Sequence, residues 1–244
     1  VNETAALAPL ISAASAYYRP AGRFAQQFAR GKLRNDPLYA IILTRGLLAG
    51  CTRLLDLGCG QGLLAAWLLA ARPWRAGAAA LDWPQCWPAP PRLQRYFGVE
   101  LNAREVARAR RAFALEPAVS LQIVHGDIRD VDYPTTDAVV IMDVLHYLDY
   151  SAQEQVLQRV RAALAPRGTL LLRIGNAAGG FGFTLSKAVD RTVVLLRRRR
   201  WLPLQCRTLP DWQELLARCG FDSRPLALSA SAGFVNVLLQ AQLP

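Results

Sequence analysis

The stretch Leu54-Leu55-Asp56-Leu57-Gly58-Cys59-Gly60-Gln61-Gly62 constrains this chain more than any other. Its first four residues read as a buried strand. Three glycines at alternate positions then make a turn, and the apolar run Leu63–Leu69 reads as a helix. Glycines let a backbone approach a ligand closely, and the free N–H groups of a helix start face whatever lies beyond the turn. Strand, glycine turn and helix start together form a device for handling a nucleotide.

The bulk properties set the frame around that device. The chain has 244 residues and is 52% apolar, enough for one α/β domain with a substantial core and too apolar for a disordered protein. Its net charge of +11 is carried almost wholly by arginine, since Lys32 and Lys187 are the only lysines. That charge fits an anionic partner or surface, and equally a compositional bias in a chain rich in Ala and Leu. Five scattered cysteines, Cys51, Cys59, Cys86, Cys206 and Cys219, form no C-x-x-C pair, so neither a disulfide framework nor a metal site is expected. The start of the chain lacks the pattern of a signal peptide, and no apolar run approaches the ~18 residues that span a bilayer. The expected location is cytoplasmic, at most peripheral to the inner membrane.

Residues 1–49 are expected to be a helical extension, and residues 50–244 the ligand-binding domain. In the extension, Pro20-Ala21-Gly22 breaks the apolar segment Ala5–Tyr18. Arg23–Arg30 reads as a helix stopped by Gly31, and Pro37 opens another over Leu38–Leu48. The polar cluster Arg30, Lys32, Arg34 and Asp36 is unusual for a packing element. Two insertions are expected, 73–94 and 175–208. The first is rich in Pro and Trp, cannot be regular helix or central strand, and is either a surface loop or a wall on the substrate side. Its Trp83 and Trp87 are expected to pack. The second holds a glycine-rich loop, an apolar helix over Leu185–Leu196 and the run Arg197–Arg200.

Beyond the turn, Arg95–Glu100 reads as strand two, and an acid at such a strand end can accept both ribose hydroxyls of an adenosine ligand. Leu121–Val124 is strand three, followed by His125-Gly126-Asp127. Asp137–Ile141 is strand four, the most continuously apolar, followed by Met142-Asp143-Val144-Leu145-His146-Tyr147-Leu148. Ser151–Leu164 is a helix, Thr169–Ile174 strand five and Asp211–Cys219 a helix. Arg224–Leu228 and Phe234–Leu239 close the chain as a hairpin through Ser229–Gly233.

The spacing G-x-G-x-G behind Asp56 differs from the dinucleotide pattern G-x-G-x-x-G. It resembles motif I of the class I S-adenosylmethionine-dependent methyltransferases. The acids after strands two and three, the D-x-L-H-x-L stretch from Asp143 to Leu148, the Pro166-Arg167-Gly168 turn and the final hairpin add to that resemblance. It implies a Rossmann-like α/β fold: a seven-stranded sheet in the order 3-2-1-4-5-7-6, strand seven antiparallel, helices on both faces and an N-terminal helical lid. It also implies S-adenosylmethionine as cofactor, with S-adenosylhomocysteine as product. Asp56 then lies near the cofactor's ammonium group, Gly58, Cys59, Gly60 and Gly62 cradle its methionine end, and Glu100 and Leu101 meet the ribose and adenine. Asp127 and Ile128 bind adenine, and Met142 and Asp143 close the pocket. Residues Phe28–Arg34 and the ending Phe234–Leu239 are similar to methyltransferases of bacterial aryl-polyene or xanthomonadin-type pigment clusters. That similarity implies methylation of a phenolic ring, at oxygen or at an ortho carbon, on a free or carrier-bound acceptor.

His146 is the candidate general base, because histidine is the side chain best able to take a proton near pH 7. Tyr18, Arg30, Lys32, Arg34 and Tyr147 are the candidate acceptor contacts. The run Arg197–Arg200 suits an acidic acyl carrier protein or an anionic membrane surface; nucleic acid ranks below these because only Trp201 interleaves an aromatic residue there. The alternatives are an RNA methyltransferase, which would explain the charge, and a non-catalytic module that binds an adenosine ligand without using His146.

Overall fold

The computed structural model describes residues 3–75, 83–116, 119–175, 205–226, 228 and 236–244. Three helices open the chain: α1 (Glu3–Ala16), α2 (Arg23–Asn35) and α3 (Pro37–Thr44). Strand β1 (Arg53–Leu57), helix α4 (Leu63–Arg75), β2 (Arg95–Glu100), α5 (Ala103–Ala112) and β3 (Ser120–His125) follow. Next come β4 (Thr136–Met142), α6 (Tyr150–Ala163), β5 (Leu164–Gly175), α7 (Leu209–Arg218), β6 (Asp222–Leu226) and β7 (Asn236–Gln242). The seven strands form one sheet in the order β3-β2-β1-β4-β5-β7-β6. All pairs are parallel except β5–β7 and β6–β7, so the expected topology and the antiparallel last strand are both present.

Strand alternation divides the apolar residues between two faces. Leu54, Val140, Leu171 and Leu238 share a core with α1 to α5, including Leu10, Ala29, Leu38, Trp67 and Val106. Leu55, Leu57, Val139, Ile141, Leu170 and Leu172 share a second core with Val156 and Leu157 of α6 and Trp212 and Leu215 of α7. Helices therefore cover both faces, which is why the inner strands are almost continuously apolar.

Two expectations are corrected. Gly31 does not end α2, which continues to Asn35 because Leu33 one turn on is buried and Asp36 supplies the break. The Asp36 side chain accepts from Leu38 N–H and caps α3 at Pro37. Likewise Pro73 does not end α4, which runs through Arg75; the missing N–H removes a bond only in the last turn.

The described part of the first insertion, residues 83–94, contains neither helix nor strand. Trp83 and Trp87 meet edge-on at 5.4 Å, and Trp83 Nε1 donates to Pro88 O at 3.2 Å. Pro88 lies against Gly46, and Gln94 and Arg95 N–H donate to Thr52 O just before β1. This segment thus packs at the amino ends of the strands, away from the glycine turn; it is a surface loop there and not a wall of the site. The glycine-rich loop, the helix over 185–196, the run Arg197–Arg200 and the hairpin loop 229–233 lie outside the described residues.

Candidate functional site

The carboxyl ends of β1, β2, β3 and β4 converge on the glycine turn. Gly58 and Cys59 N–H both donate to Val99 O, at 2.8 and 3.1 Å, pinning the turn to β2. Gly58 has φ +78°, and a Cβ there would collide with the Val144 side chain after β4. Gly60 also has positive φ, +56°, yet a Cβ there meets nothing within 4 Å. One glycine is packed and the other crests into open space. Gly62 abuts the Phe113 ring. From below, the Tyr18 hydroxyl donates to Gln61 O at 2.8 Å, and Gln61 Nε2 donates to Ala25 O at 3.1 Å, so the N-terminal helices hold the turn.

Two carboxylates serve the turn from opposite sides. Glu100 Oε2 accepts from Gly60 N–H at 2.9 Å and Oε1 accepts from Asn102 N–H at 2.8 Å, so this strand-end acid spans the gap between turn and α5. Asp56 is only 4% exposed and accepts from the Tyr96 hydroxyl at 2.6 Å. Burial pushes its carboxyl up to about 7, against the opposing hydrogen bond from Tyr96. The expectation that Asp56 faces the ligand is therefore corrected: its carboxyl lies beneath the turn, in the core, held by a phenol.

At the next strand end, Asp127 is tied to Arg129. Oδ1 accepts from Arg129 N–H at 2.9 Å and from Nε at 3.0 Å, and Oδ2 accepts from Nη2 at 2.6 Å. That pairing holds the Asp127 carboxyl below its ordinary value. Ile128 is buried, whereas Leu101 is half exposed beside Glu100, its carbonyl 3.0 Å from His125 Nε2. Glu100 and His125 are register partners, so the Glu100 and Asp127 positions are close neighbours across adjacent strands.

The far side of the site is an ionic network. Met142 is half-buried at the end of β4, and Asp143 takes φ +58°, unusual for a residue with a side chain. Arg173, on β5 and 6% exposed, donates from Nε to Asp143 Oδ1 at 2.9 Å and from Nη2 to Asp143 Oδ2. Its Nη1 donates to both Asp36 oxygens, at 2.8 and 2.7 Å, and Lys32 Nζ lies 2.9 Å from Asp36. Burial alone would raise the Asp36 carboxyl; Arg173 and Lys32 outweigh it and hold it below the usual range.

The candidate acceptor contacts are dispersed. Tyr18 is fully buried with its hydroxyl on the glycine turn, and Lys32 is paired with Asp36. Arg30 and Arg34 are exposed on α2. The expectation that Tyr18 meets an acceptor is thus corrected by its burial. His146 is buried in a short 3-10 turn after β4, its ring 4.2 Å from the Tyr147 ring, and its carbonyl accepts from Gln205 N–H at 2.9 Å. It lines a narrow crevice with Leu145, Arg173, Ile174, Cys206 and Trp212. Sequence reasoning missed Arg173, Arg129 and Tyr96. The signal for the first was an arginine inside the apolar run Leu170-Leu171-Leu172-Arg173-Ile174. Among the described residues, no group of three or more His, Cys, Asp or Glu is placed to hold a metal ion.

A family model described as a methyltransferase domain matches residues 55–170, from β1 into β5. That match takes in the glycine turn and the strand ends around it. The chain's sheet order is that of the Rossmann-like methyltransferase fold. An 84-residue stretch is 39% identical to carboxy-S-adenosyl-L-methionine synthase of Chromohalobacter salexigens, covering 34% of this chain and 31% of that protein. Over 138 residues the chain is 33% identical to acetylserotonin O-methyltransferase of Mus musculus, covering 52% of this chain and 34% of that protein. The matched stretches thus span about a third of the length of these relatives. Human N-acetylserotonin methyltransferase, solved in complex with SAM, superposes with a TM-score of 0.56 at 17% identity, over 88% of this chain and 55% of that one. That likeness shows the fold of the domain.

Proposed function

We propose that the domain transfers the methyl group of S-adenosylmethionine to a small-molecule acceptor, a phenolic ring methylated at oxygen or at an ortho carbon. One observation carries the donor half of this reading: Glu100 bridges the N–H groups of Gly60 and Asn102 at the crest of a turn with open space before it. A carboxylate so placed is suited to accept ribose hydroxyls, and the Gly60 backbone leaves room for the ligand's approach. Leu101 and Ile128 would flank the adenine. Asp127 would take its amino group, with Arg129, exposed on the surface, giving way. Gly58, Cys59 and Gly62 would shape the methionine end together with Met142 and Asp143, while Asp56 supports the turn from below. Bound S-adenosylmethionine would supply a sulfonium-activated methyl group.

The rest of the work falls to the chain. A phenol of pKa about 10 is only ~0.1% ionised at pH 7, a cost of about 4 kcal/mol. His146, in the turn after β4 and in a crevice it shares with Arg173 of β5 and Trp212 of α7, is suited to receive that proton and leave the nucleophile aligned. Ring-carbon attack needs the same deprotonation. Arg30, Arg34 and Tyr147 would meet the acceptor or its carrier, and residues 1–49 would act as the lid. The relatives include an acetylserotonin O-methyltransferase, which supports a small-molecule acceptor, and a ribosomal RNA small subunit methyltransferase, which supports the RNA alternative that the test below separates. We place the acceptor in bacterial pigment-type secondary metabolism, free or bound to an acidic acyl carrier that the run Arg197–Arg200 would meet, in the cytoplasm or at the inner membrane face.

The test is transfer of labelled methyl from S-adenosylmethionine to a panel of hydroxybenzoates, free and as carrier thioesters. The expected result is label on a ring oxygen or ortho carbon, lost in His146→Gln while S-adenosylhomocysteine still binds. Label appearing in RNA and in no phenol would overturn the acceptor assignment.

A further inference from the structure

The glycine turn and the N-terminal helices are joined not only by Tyr18 and Gln61 but also, on the other side of the site, through one buried guanidinium. Arg173 makes four hydrogen bonds, two to Asp36 between α2 and α3 and two to Asp143 after β4. Four of its five N–H donors are thus committed to the two carboxylates. Asp143 is held in a left-handed conformation, and the next residue, Val144, fills the space that Gly58 leaves by lacking a Cβ. A continuous path of contacts therefore runs from Asp36 through Arg173 and Asp143 to Val144 and Gly58.

We propose that Arg173 is a positioning residue for the methyl donor: it sets the turn after β4 against the glycine turn, and makes the shape of the donor pocket depend on docking of the α2–α3 junction through Asp36. This rests on the donor reading above. Burial makes the bridge all-or-none, because a guanidinium 6% exposed that loses one carboxylate is left with donors no water reaches. Lys32, which also reaches Asp36, balances the network at two cations and two anions. The pocket and the N-terminal segment thus share one neutral, interlocked element, the kind of physical link that coupling requires.

The experiment compares Arg173→Met, Asp36→Asn and Asp143→Asn, and the double variant Asp36→Asn/Asp143→Asn, with wild type. Asp36→Asn keeps the helix cap and is the safeguard if Arg173→Met does not fold. Binding of S-adenosylhomocysteine is measured by calorimetry, with KM for S-adenosylmethionine and kcat at saturating donor. The expected result is a Kd raised about tenfold in Arg173→Met and severalfold in Asp36→Asn, with the donor KM rising; in Asp36→Asn, which keeps Arg173 in the His146 crevice, kcat changes less than about twofold. The double variant is expected to be no worse than its more severe single, since both cut the same bridge. Unchanged affinity in Asp36→Asn, or strictly additive losses, would overturn the proposal while leaving the donor reading standing. Failure of wild type to bind S-adenosylhomocysteine would overturn the donor reading and this inference with it.

Discussion

The two sides of the site hold their acids in opposite ways. On the β1–β2 side, Asp56 is buried against a neutral phenol and Glu100 against backbone N–H groups, with no cation in hydrogen-bond contact. On the β4–β5 side, Asp36 and Asp143 are both bridged by Arg173. The first arrangement pushes a carboxyl up, to about 7 for Asp56; the second holds Asp36 down. The difference separates two jobs. The side without its own cation leaves Glu100 acceptor capacity for a ligand, whereas the charge-compensated side spends its carboxylates on fixing the fold.

The contrast can be broken at several points. The largest effect is expected from Asp36→Ala, which leaves Arg173 and Lys32 without a shared carboxylate. Removing one partner of a buried pair costs about 3–5 kcal/mol, read by denaturant unfolding. Gly58→Ala follows, at roughly 2–3 kcal/mol, because it combines positive φ with the Val144 collision. If Gly58→Ala were no worse than Gly60→Ala, the packed and open glycines would not be distinct.

The Asp56 side is sharpened by pH. Its folded pKa is raised above the ordinary value, so the stability it contributes is full below about 4 and lost as pH rises through about 7. Unfolding curves of wild type and Asp56→Asn between pH 4 and 8 should show wild type losing roughly 4 kcal/mol relative to the variant across that window. The opposite slope would mean that Asp56 is ionised and paired in the fold. Gly60→Ala should cost only about 1 kcal/mol of stability, the φ penalty alone, yet at least ~10-fold in affinity for S-adenosylhomocysteine. The smallest effect is expected at Arg129: Arg129→Ala frees Asp127 and should tighten that binding by about 2–3-fold in calorimetry, the scale of an exposed ion pair.

What the chain discloses as sequence follows the same division. The turn Gly58–Gly62 and the Glu100 strand end are local and legible; the sheet order is legible only through the resemblance to class I methyltransferases. The Arg173–Asp36 bridge joins residues 137 positions apart, and no spacing rule connects them. Lys32 and Asp36 looked like an exposed polar cluster because a sequence does not show that a distant arginine buries one of them. Asp56 was read as a ligand contact because its place in the motif is visible and its partner Tyr96, 40 positions on, is not. Gly31 reads as a breaker on propensity, which tertiary packing overrides.

The most direct test of the donor site is calorimetric titration of the wild-type chain with S-adenosylhomocysteine and, separately, with NAD, repeated on Gly60→Ala. The account predicts S-adenosylhomocysteine binding near micromolar, about 8 kcal/mol, weakened at least tenfold in the variant, and no heat with NAD. Binding of NAD alone, or equal binding of S-adenosylhomocysteine to wild type and Gly60→Ala, would contradict it.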